Sequence, residues 1–277
     1  MRLAIALVLA FGPLCCAQEP PPNTLTPAER AAGWLLLFDG KSFAGWNDPA
    51  LRTPPGDSWS IEDGCLKAVA NPRIREDLMT AATFRDFELV FDWRIAPGAN
   101  TGLKYLIQRL VFLDHDKPAP GIHSFEESVG YEMEHHLADR ALLGANSHGE
   151  EYVVSFEYQL LDDDGHSDGR RGPLYRTGSL YSMIPPTEAA ARPVGDVNHS
   201  RLVLRGNRIE HWLNGVKVVD ASLDSPVVAE NIAKRWKAAP NVADLLTRRP
   251  RRDCPIGLQN HGDAAWFRNL KLRKLEP

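Results

Sequence analysis

Alternating apolar and polar residues form the main pattern along this chain, and the pattern predicts β-strands rather than helices. The segment "FELVFDWRI", residues 87–95, places five apolar side chains on one face: Phe87, Leu89, Phe91, Trp93 and Ile95. An antiparallel strand with one face on the core has this period. Similar runs predict strands in "TGLKYLIQ", "PIGLQNH" and "NLKLRKL".

Two short turns indicate a meander of three strands in "RLVLRGNRIEHWLNGVKVVD", residues 201–220. The pairs Gly206-Asn207 and Asn214-Gly215 separate alternating runs. Both pairs tolerate the positive φ that two-residue hairpins require. We therefore expect three consecutive antiparallel strands here.

Helical patterns are rare: "TPAERAAG" lies in a Pro-rich linker, residues 18–35, and "VVAENIAKRWKAA" is the only clear later helix. The many short strands predict an all-β fold, a two-sheet antiparallel sandwich or jelly roll with a few short helices. We expect one such domain at residues 36–277. Residues 114–125, 137–150 and 165–178 are predicted to be functional or mobile loops.

Residues 1–17 have the features of a signal peptide. Arg2 precedes an apolar stretch, residues 3–14, and small residues near Ala17 suit signal peptidase. The stretch is shorter than the ~20 apolar residues that span a bilayer. We expect cleavage near Ala17 and a periplasmic or secreted protein, with a short anchor or lipidation of Cys16 as alternatives.

Two of the four cysteines, Cys65 and Cys254, would remain after this cleavage. In an oxidising compartment they can form a disulfide. Because the sequence does not give the distance between the two sulfur atoms, a pair of buried free thiols explains them equally well.

The charge balance argues against a nucleic-acid partner. Charged residues make up 25% of the chain and the formal net charge is −4, so no broad basic surface is expected to hold a phosphate backbone. A small neutral ligand suits this composition better.

Three predicted strands carry hydrogen-bonding groups at their outer positions: Glu157 and Gln159, then Gln259 and His261, then Lys104 and Gln108. The inner positions on the last of these strands are Leu103, Tyr105 and Ile107. Any one such face, taken alone, is better explained by a solvated surface. Together, the donors and acceptors suit sugar hydroxyls, and a curved sheet would make them converge.

The segment "DDDGHSDG", residues 162–169, has the acidic character of a calcium loop. The twelfth position counted from Asp164 is Tyr175 instead of a bidentate Glu, so the loop pattern fails. A solvated turn is the simplest interpretation. A further alternative is that Asp162 orients His166, which then acts as a base or a ligand.

A second acidic segment, "YEMEHH", would place Glu132, Glu134 and His136 on one face of a strand. These groups could bind a divalent metal, but an edge strand or flexible loop without metal explains them better. The "DHD" at residues 114–116 is expected to be solvated.

Motifs of several enzyme classes are absent from the sequence. It contains no E-x-D-x-x-E of jelly-roll glucanases, no G-x-S-x-G, no P-loop and no dinucleotide fingerprint. The esterase, NTPase and dehydrogenase classes therefore lack motif support, as does a glycosidase with paired carboxylates.

Several segments together resemble a secreted family described as 3-keto-disaccharide hydrolases or 3-keto-glucoside 1,2-lyase/hydratases. They are "LFDGKSFAGW", "WSIEDG", "FELVFDWRIAPGANTGLKY", "FEYQLLDDDGHSD", "RTGSLYSMIPP", "RIEHWLNGVKVV" and "PIGLQNHGDAAWFRNLKLRKL". The resemblance covers residues 36–275. It implies a concanavalin-like jelly roll whose concave sheet faces a sugar.

The resemblance also implies an elimination chemistry. A ketone at C3 acidifies the C2 hydrogen, a base removes that hydrogen, the aglycone leaves from C1, and water adds to the resulting glycal. Such a site needs a base and an electrophile for the enolate oxygen. It does not need the paired carboxylates of ordinary glycosidases.

On this resemblance, the base is expected to be Glu157 or His166, and the enolate is stabilised by Lys104, by His261 or by a divalent ion. Sugar binding is expected from the other matching positions: Gln159, Asp162, Arg176, Tyr181, Gln259 and Asp263. No cofactor is required with certainty. The segment of residues 129–152 is longer than expected for the family and could change the shape of the pocket. The alternative is a carbohydrate-binding module without turnover. Trp46 and Trp212 could stack on sugar in either case, or belong to the core and serve neither.

Overall fold

The computed structural model describes residues 20–47, 56–116, 121–135 and 148–276, in which β-strands dominate. Their strands are Trp34–Leu36 (β1), Trp46–Asn47 (β2), Trp59–Glu62 (β3), Cys65–Ala68 (β4), Ile74–Arg75 (β5), Leu78–Thr80 (β6), Phe87–Ile95 (β7), Asn100–Asp114 (β8), Gly149–Leu161 (β9), Asn198–Arg205 (β10), Arg208–Leu213 (β11), Val216–Ser222 (β12), Gly257–Leu258 (β13) and Ala265–Lys274 (β14). The α-helices are Pro27–Ala31 (α1), Phe125–His135 (α2), Pro226–Arg235 (α3) and Pro240–Arg248 (α4).

The strands form two sheets. The eight-stranded sheet has the order β12-β11-β10-β7-β14-β4-β3, with β1 also pairing with β14. The six-stranded sheet has the order β2-β6-β13-β8-β9-β5, and β5 is parallel to β9. The prediction of an all-β, two-sheet jelly-roll sandwich is confirmed.

The main core is built by the apolar faces of the two sheets. The five apolar residues of β7 named above are each at most 3% exposed, as the alternation predicts. Phe91 on the eight-stranded sheet meets Tyr158 on the six-stranded sheet edge-to-face, with ring centroids 6.1 Å apart. Burial of these faces is the main stabilisation of a sandwich, and it turns the opposite face of each sheet outward.

The meander is present as predicted. Strands β10, β11 and β12 pair antiparallel in sequence order. In the second hairpin Asn214 and Gly215 adopt φ values of +49° and +87°, which explains the need for Asn-Gly at this turn.

The inward positions of β8 differ from the prediction. The pairing of β8 with β9 shifts register between Tyr105 and Arg109, and Leu106 adopts a φ of +49°. As a result Leu106 joins the main core, whereas Ile107 packs in a separate apolar cluster. The prediction that Ile107 faces the main core is therefore wrong, because a bulge reverses the alternation.

Two further expectations about secondary structure are wrong. The segment "YEMEHH" does not form an edge strand or loop, since residues 131–135 belong to helix α2. The predicted strand face of Glu132 and Glu134 therefore does not exist, and His136 lies outside the described residues. Helix α4 was not predicted and follows α3 after a four-residue connection, beginning at Pro240. Proline is favoured at the first position of a helix, so the sequence carried this signal.

The N-terminal region packs on the sandwich. Helix α1 begins with a capping box between Thr26 and Glu29, and β1 includes two residues of the stretch predicted as a linker. Residues 1–17, the predicted signal peptide, lie outside the described part. No helix in the described residues is long and apolar enough to cross a membrane.

The two cysteines are buried and unpaired. Cys65 lies in the eight-stranded sheet, whereas Cys254 belongs to the separate cluster and its thiol donates to the backbone oxygen of Ile107 at 3.2 Å. The disulfide alternative is therefore wrong, and the alternative of two buried thiols is confirmed.

Candidate active site

A polar cavity of about 310 Å³ lies on the face of the six-stranded sheet that is turned away from the main core. The antiparallel register brings its central residues together, because Lys104 of β8 is the partner of Glu157 of β9. On the other side of β8, Lys104 pairs with Gly257 of β13, which directly precedes the segment carrying Gln259 and His261. Lys104 and Glu157 from two strands therefore converge with Gln259 and His261 from the segment after β13, as expected. Gln108 does not join them, because it lies in the bulged part of β8 and exchanges hydrogen bonds with the backbone of Arg251.

Lys104 forms a buried ion pair at the base of the cavity. Its Nζ atom lies 2.7 Å from Oδ2 of Asp77, and both side chains are 2% exposed. Burial acts to lower the pKa of Lys104, but the charges of Asp77 and Glu157 raise it above its usual value. Lys104 is therefore a fixed cation in the lining of the cavity.

Glu157 stands next to this cation. Burial raises the pKa of Glu157 to about 7, although Lys104 and Arg235 both act to lower it. A carboxyl group with a pKa near neutrality is suited to accept and return a proton. Glu157 therefore has the properties of a general base.

Gln159 and Gly102 position Glu157. With its amide turned so that the nitrogen faces acceptors, Gln159 donates to Oε1 of Glu157 at 3.0 Å. Gly102 is the β8 partner of Gln159, and a Cβ atom added to Gly102 would lie 2.1 Å from the same oxygen. The missing side chain at Gly102 thus leaves the space that the carboxylate occupies.

We expect Gly102→Ala to lower activity on the sugar substrate by on the order of 10²-fold, because displacement of a reacting group by about 1 Å has that effect. The free energy of unfolding should change little, since the end of the Glu157 side chain can move. Turnover and urea unfolding should be measured side by side. Gly257→Ala is the control, because its Cβ would meet neighbours only at 3.5 Å or more. Equal activity of the two variants would contradict this role.

His261 also lines the cavity, and its imidazole is neutral. Burial, together with Arg75 and His166, lowers the pKa of His261 to about 4. The backbone oxygen of His261 accepts from Arg75 at 3.3 Å, and Arg75 is held by Glu150 at 2.5 Å. At neutral pH His261 can therefore donate or accept a hydrogen bond to a sugar without carrying charge.

His166 contacts the ring of His261 and does not itself line the cavity. The two rings meet edge-to-face with centroids 5.6 Å apart. Nδ1 of His166 accepts from the backbone N–H of Asp168 at 3.1 Å. Asp162 does not orient the His166 ring, because its carboxylate accepts from the backbone N–H groups of Gly98 and Gly165.

One group of side chains in the described residues could approach a metal ion. Ligand atoms of His166, His261 and Asp263 lie within 4.8 Å of one another. A metal-bound imidazole normally donates its second nitrogen to an acceptor, whereas Nδ1 of His166 itself accepts, which places the proton of the neutral ring on Nε2. Asp263 also accepts from the backbone N–H of Asn100 at 3.1 Å. This donor set fits a metal ion poorly.

The cavity brings together six of the ten residues named from the sequence: Lys104, Glu157, Gln159, Tyr181, Gln259 and His261. The other four do not line it. His166 and Asp263 lie next to His261, whereas Asp162 closes a turn and Arg176 pairs with exposed Asp164 at 3.7 Å. Asp162 and Arg176 thus have structural partners and make no contact with the cavity.

Sequence reasoning missed several lining residues, notably Asp77, Tyr152, Asp168 and Arg235. Arg235 ends helix α3 and lies over the ring of Tyr181, 4.5 Å from its centroid. Its Nε atom is buried without a hydrogen-bond partner. The helix was predicted, but its orientation over the sheet depends on packing that the sequence pattern does not give.

The family model for the 3-keto-alpha-glucoside-1,2-lyase-like domain matches residues 33–273. The chain belongs to this family. The 3-keto-alpha-glucoside-1,2-lyase-like domain thus covers the whole sandwich and every residue of the cavity, so the resemblance noted from the sequence is confirmed. Membership makes the protein carbohydrate-active.

Similar proteins agree with this family. A 3-keto-disaccharide hydrolase from Bacteroides thetaiotaomicron is 29% identical over 262 residues, which are 89% of this chain and 80% of the relative. Two crystal structures from Parabacteroides distasonis ATCC 8503, described as proposed glycosyl hydrolases, share the fold. The first has a TM-score of 0.66 at 24% identity and covers 92% of this chain and 100% of its own. The second has a TM-score of 0.56 at 22% identity and covers 87% of this chain and 99% of its own.

Proposed function

We propose that the protein cleaves 3-keto-glycosides by elimination and then hydrates the product. In the first step the C2–H bond and the bond from C1 to the aglycone oxygen break, and a C1–C2 double bond forms in conjugation with the C3 ketone. In the second step water adds at C1 and a proton returns to C2. The net reaction is hydrolysis of the glycoside. The name of the Bacteroides thetaiotaomicron relative supports this substrate class.

Glu157 is the base in this proposal. It lines the cavity beside Lys104, whereas His166 does not line it. The carboxylate takes the C2 proton during elimination and passes it to the departing aglycone oxygen, and during hydration it takes a proton from the incoming water and delivers that proton to C2. A pKa of about 7 suits both directions of transfer.

Lys104 is the electrophile for the oxygen that becomes negative as C2 loses its proton. Its charge is fixed by Asp77 before the substrate binds, so little reorganisation is needed during the reaction. Arg235 of helix α3 also lines the cavity and adds a second positive charge to the site. Gln259 and His261 are assigned to the sugar hydroxyls, which their amide and neutral imidazole groups suit.

One observation carries this proposal. Glu157, a carboxyl group with a pKa of about 7, is paired with the buried cation Lys104 on adjacent strands in one cavity. A carbohydrate-binding module without turnover needs neither the raised pKa of the carboxyl nor the fixed cation. A direct test is release of a chromophoric aglycone from a 3-keto-glucoside. Absence of release from several such substrates would favour the binding module.

The pH dependence gives a further expected result. Because the pKa of Glu157 is raised to about 7, its basic form is lost as the pH falls through that value. The kcat/KM for aglycone release should therefore decrease about tenfold for each pH unit below 7. Initial rates between pH 5 and 8 would show this limb. A profile that stays flat down to pH 5 would contradict the assignment of Glu157 as the base.

The export signal predicted at residues 1–17 leads us to propose a periplasmic or secreted location. Expression of the full chain in a bacterial host should yield a mature protein that begins near residue 18. N-terminal sequencing of that protein would detect the cleavage, and recovery of the intact N-terminus from the cytoplasm would contradict it.

A further inference from the structure

Phe125 lies at the opening of the cavity, and the proposed reaction gives its aromatic ring no role. Four large hydrophobic side chains are exposed in the described residues: Leu35, Phe125, Val194 and Val227. Of these, Phe125 alone lines the cavity, and it is 39% exposed. An exposed aromatic ring at the edge of a polar site has a free face on which another ring can stack.

Helix α2 holds this ring in a fixed place. Ser124 and Glu127 cap each other's backbone N–H groups at 3.1 and 3.2 Å, so the helix begins at Phe125. Further along, Val129 is fully buried and the backbone oxygen of Gly130 accepts from Asn241 of α4 at 2.8 Å. Phe125 is therefore presented by an anchored helix end.

The ring is also supported from the cavity side. Tyr152 of β9 meets Phe125 edge-to-face with centroids 4.9 Å apart, and Lys104 lies 5.5 Å from the centre of the Tyr152 ring. The Tyr152 ring thus contacts both the buried cation of Lys104 and the exposed ring of Phe125. A sugar ring that reacts beside Lys104 must direct its aglycone outward, because the base of the cavity is closed by buried side chains.

We propose that Phe125 forms an aglycone subsite, which binds leaving groups that present a ring face, either an aryl group or a second sugar. The inference rests on the proposed function, since it takes the buried end of the cavity as the site of the 3-keto ring. Phe125 and Tyr152 would bind the apolar face of the aglycone ring, and a methyl aglycone would be too small to reach Phe125.

The test measures binding, so that it does not depend on turnover. Dissociation constants would be measured by calorimetry in the Glu157→Gln background for 3-keto-glucosides with methyl, 4-nitrophenyl and glucosyl aglycones. Adding Phe125→Ala should weaken binding of the nitrophenyl and glucosyl compounds roughly 2- to 12-fold, the effect of losing one aromatic contact, and leave the methyl compound within about twofold. Loss with one ring aglycone alone would identify which class the subsite takes.

Matched variants separate this role from a structural one. Phe125→Trp should retain binding of the ring aglycones, and Val227→Ala, an exposed site on α3, should change nothing. Equal weakening for all three compounds, no weakening for any, or failure of all three to bind would overturn the subsite. If the subsite result holds but the protein with Glu157 intact releases no aglycone, the proposed cleavage is wrong and the subsite stands.

Discussion

Glu157→Gln should reduce kcat for cleavage of a 3-keto-glucoside by about 10²–10⁴-fold, which is the usual contribution of a positioned general base. The amide has nearly the same shape as the carboxylate and can still meet Gln159, but it cannot accept the C2 proton. Substrate binding should be largely retained, so KM should change much less than kcat. Steady-state rates with a chromophoric aglycone would measure both.

Two variants provide the comparison for this result. Glu230→Gln removes an exposed carboxylate on α3 whose ion pair, among the residues that the structure describes, is with Lys234 of its own helix, so activity should be unchanged. His166→Ala tests the other base considered from the sequence and should have a smaller effect than Glu157→Gln. Retention of activity in Glu157→Gln together with its loss in His166→Ala would contradict the assignment.

Asp77→Asn should lower the free energy of unfolding by roughly 3–5 kcal/mol, because it removes the ion-pair partner of the buried Lys104 charge. Both side chains of this pair are 2% exposed, so solvent cannot replace the lost carboxylate. The carboxylate of Asp77 also accepts from the backbone N–H of Asn260 at 3.2 Å. The amide of the variant keeps an oxygen for this N–H, so the loss reports mainly on the charge. Urea unfolding at pH 7 would measure the change.

A second substitution separates stability from catalysis at this pair. Adding Lys104→Met to Asp77→Asn removes the unpaired charge and should recover much of the lost stability. The double variant should nevertheless remain inactive, since the cation for the enolate oxygen is gone. A double variant that is stable and still cleaves the substrate would show that Lys104 has no role in the reaction. Lack of recovery in stability would show that the cost of Asp77→Asn is not electrostatic.

The centre of the site was predictable because strand period and pairing are enough to define it. Glu157 and Gln159 share a face by alternation, and Lys104 faces the same way on its own strand. Their contact needs only that the two strands be neighbours, which the register of Lys104 with Glu157 provides. Strand periodicity therefore predicted which polar residues meet at the centre of the cavity, even without a motif.

The periphery of the site was less predictable, for physical reasons that can be named. The bulge at Leu106 depends on a positive φ that no local signal announces, and it moved Ile107 out of the main core. Asp77 looks like an ordinary surface acid in the sequence, and only the packing of β6 beside β13 buries it. Such placements are determined by tertiary structure and not by the alternation of apolar and polar residues along a strand.

The sequence contains a helix-start signal for α2, but the prediction from strand alternation did not use it. Ser124 and Glu127 have the spacing of a capping box, which marks the start of a helix, whereas the alternation in the later "YEMEHH" favours a strand or loop. Residues 129–135 of the helix fall in the segment 129–152 that was expected from the sequence to be longer than in the family. Phe125, at the start of the same helix, lines the cavity.

Loss of the C2 hydrogen tests the central claim most directly. A 3-keto-glucoside deuterated at C2 would be cleaved in ordinary water, and the sugar product would be examined at early times by mass spectrometry, with unreacted substrate as the control for spontaneous exchange. Proton abstraction by Glu157 predicts a product that has lost its deuterium while the remaining substrate retains it. A product that keeps deuterium at C2 would show that the bond at C1 breaks without removal of the C2 hydrogen, which contradicts the proposed mechanism.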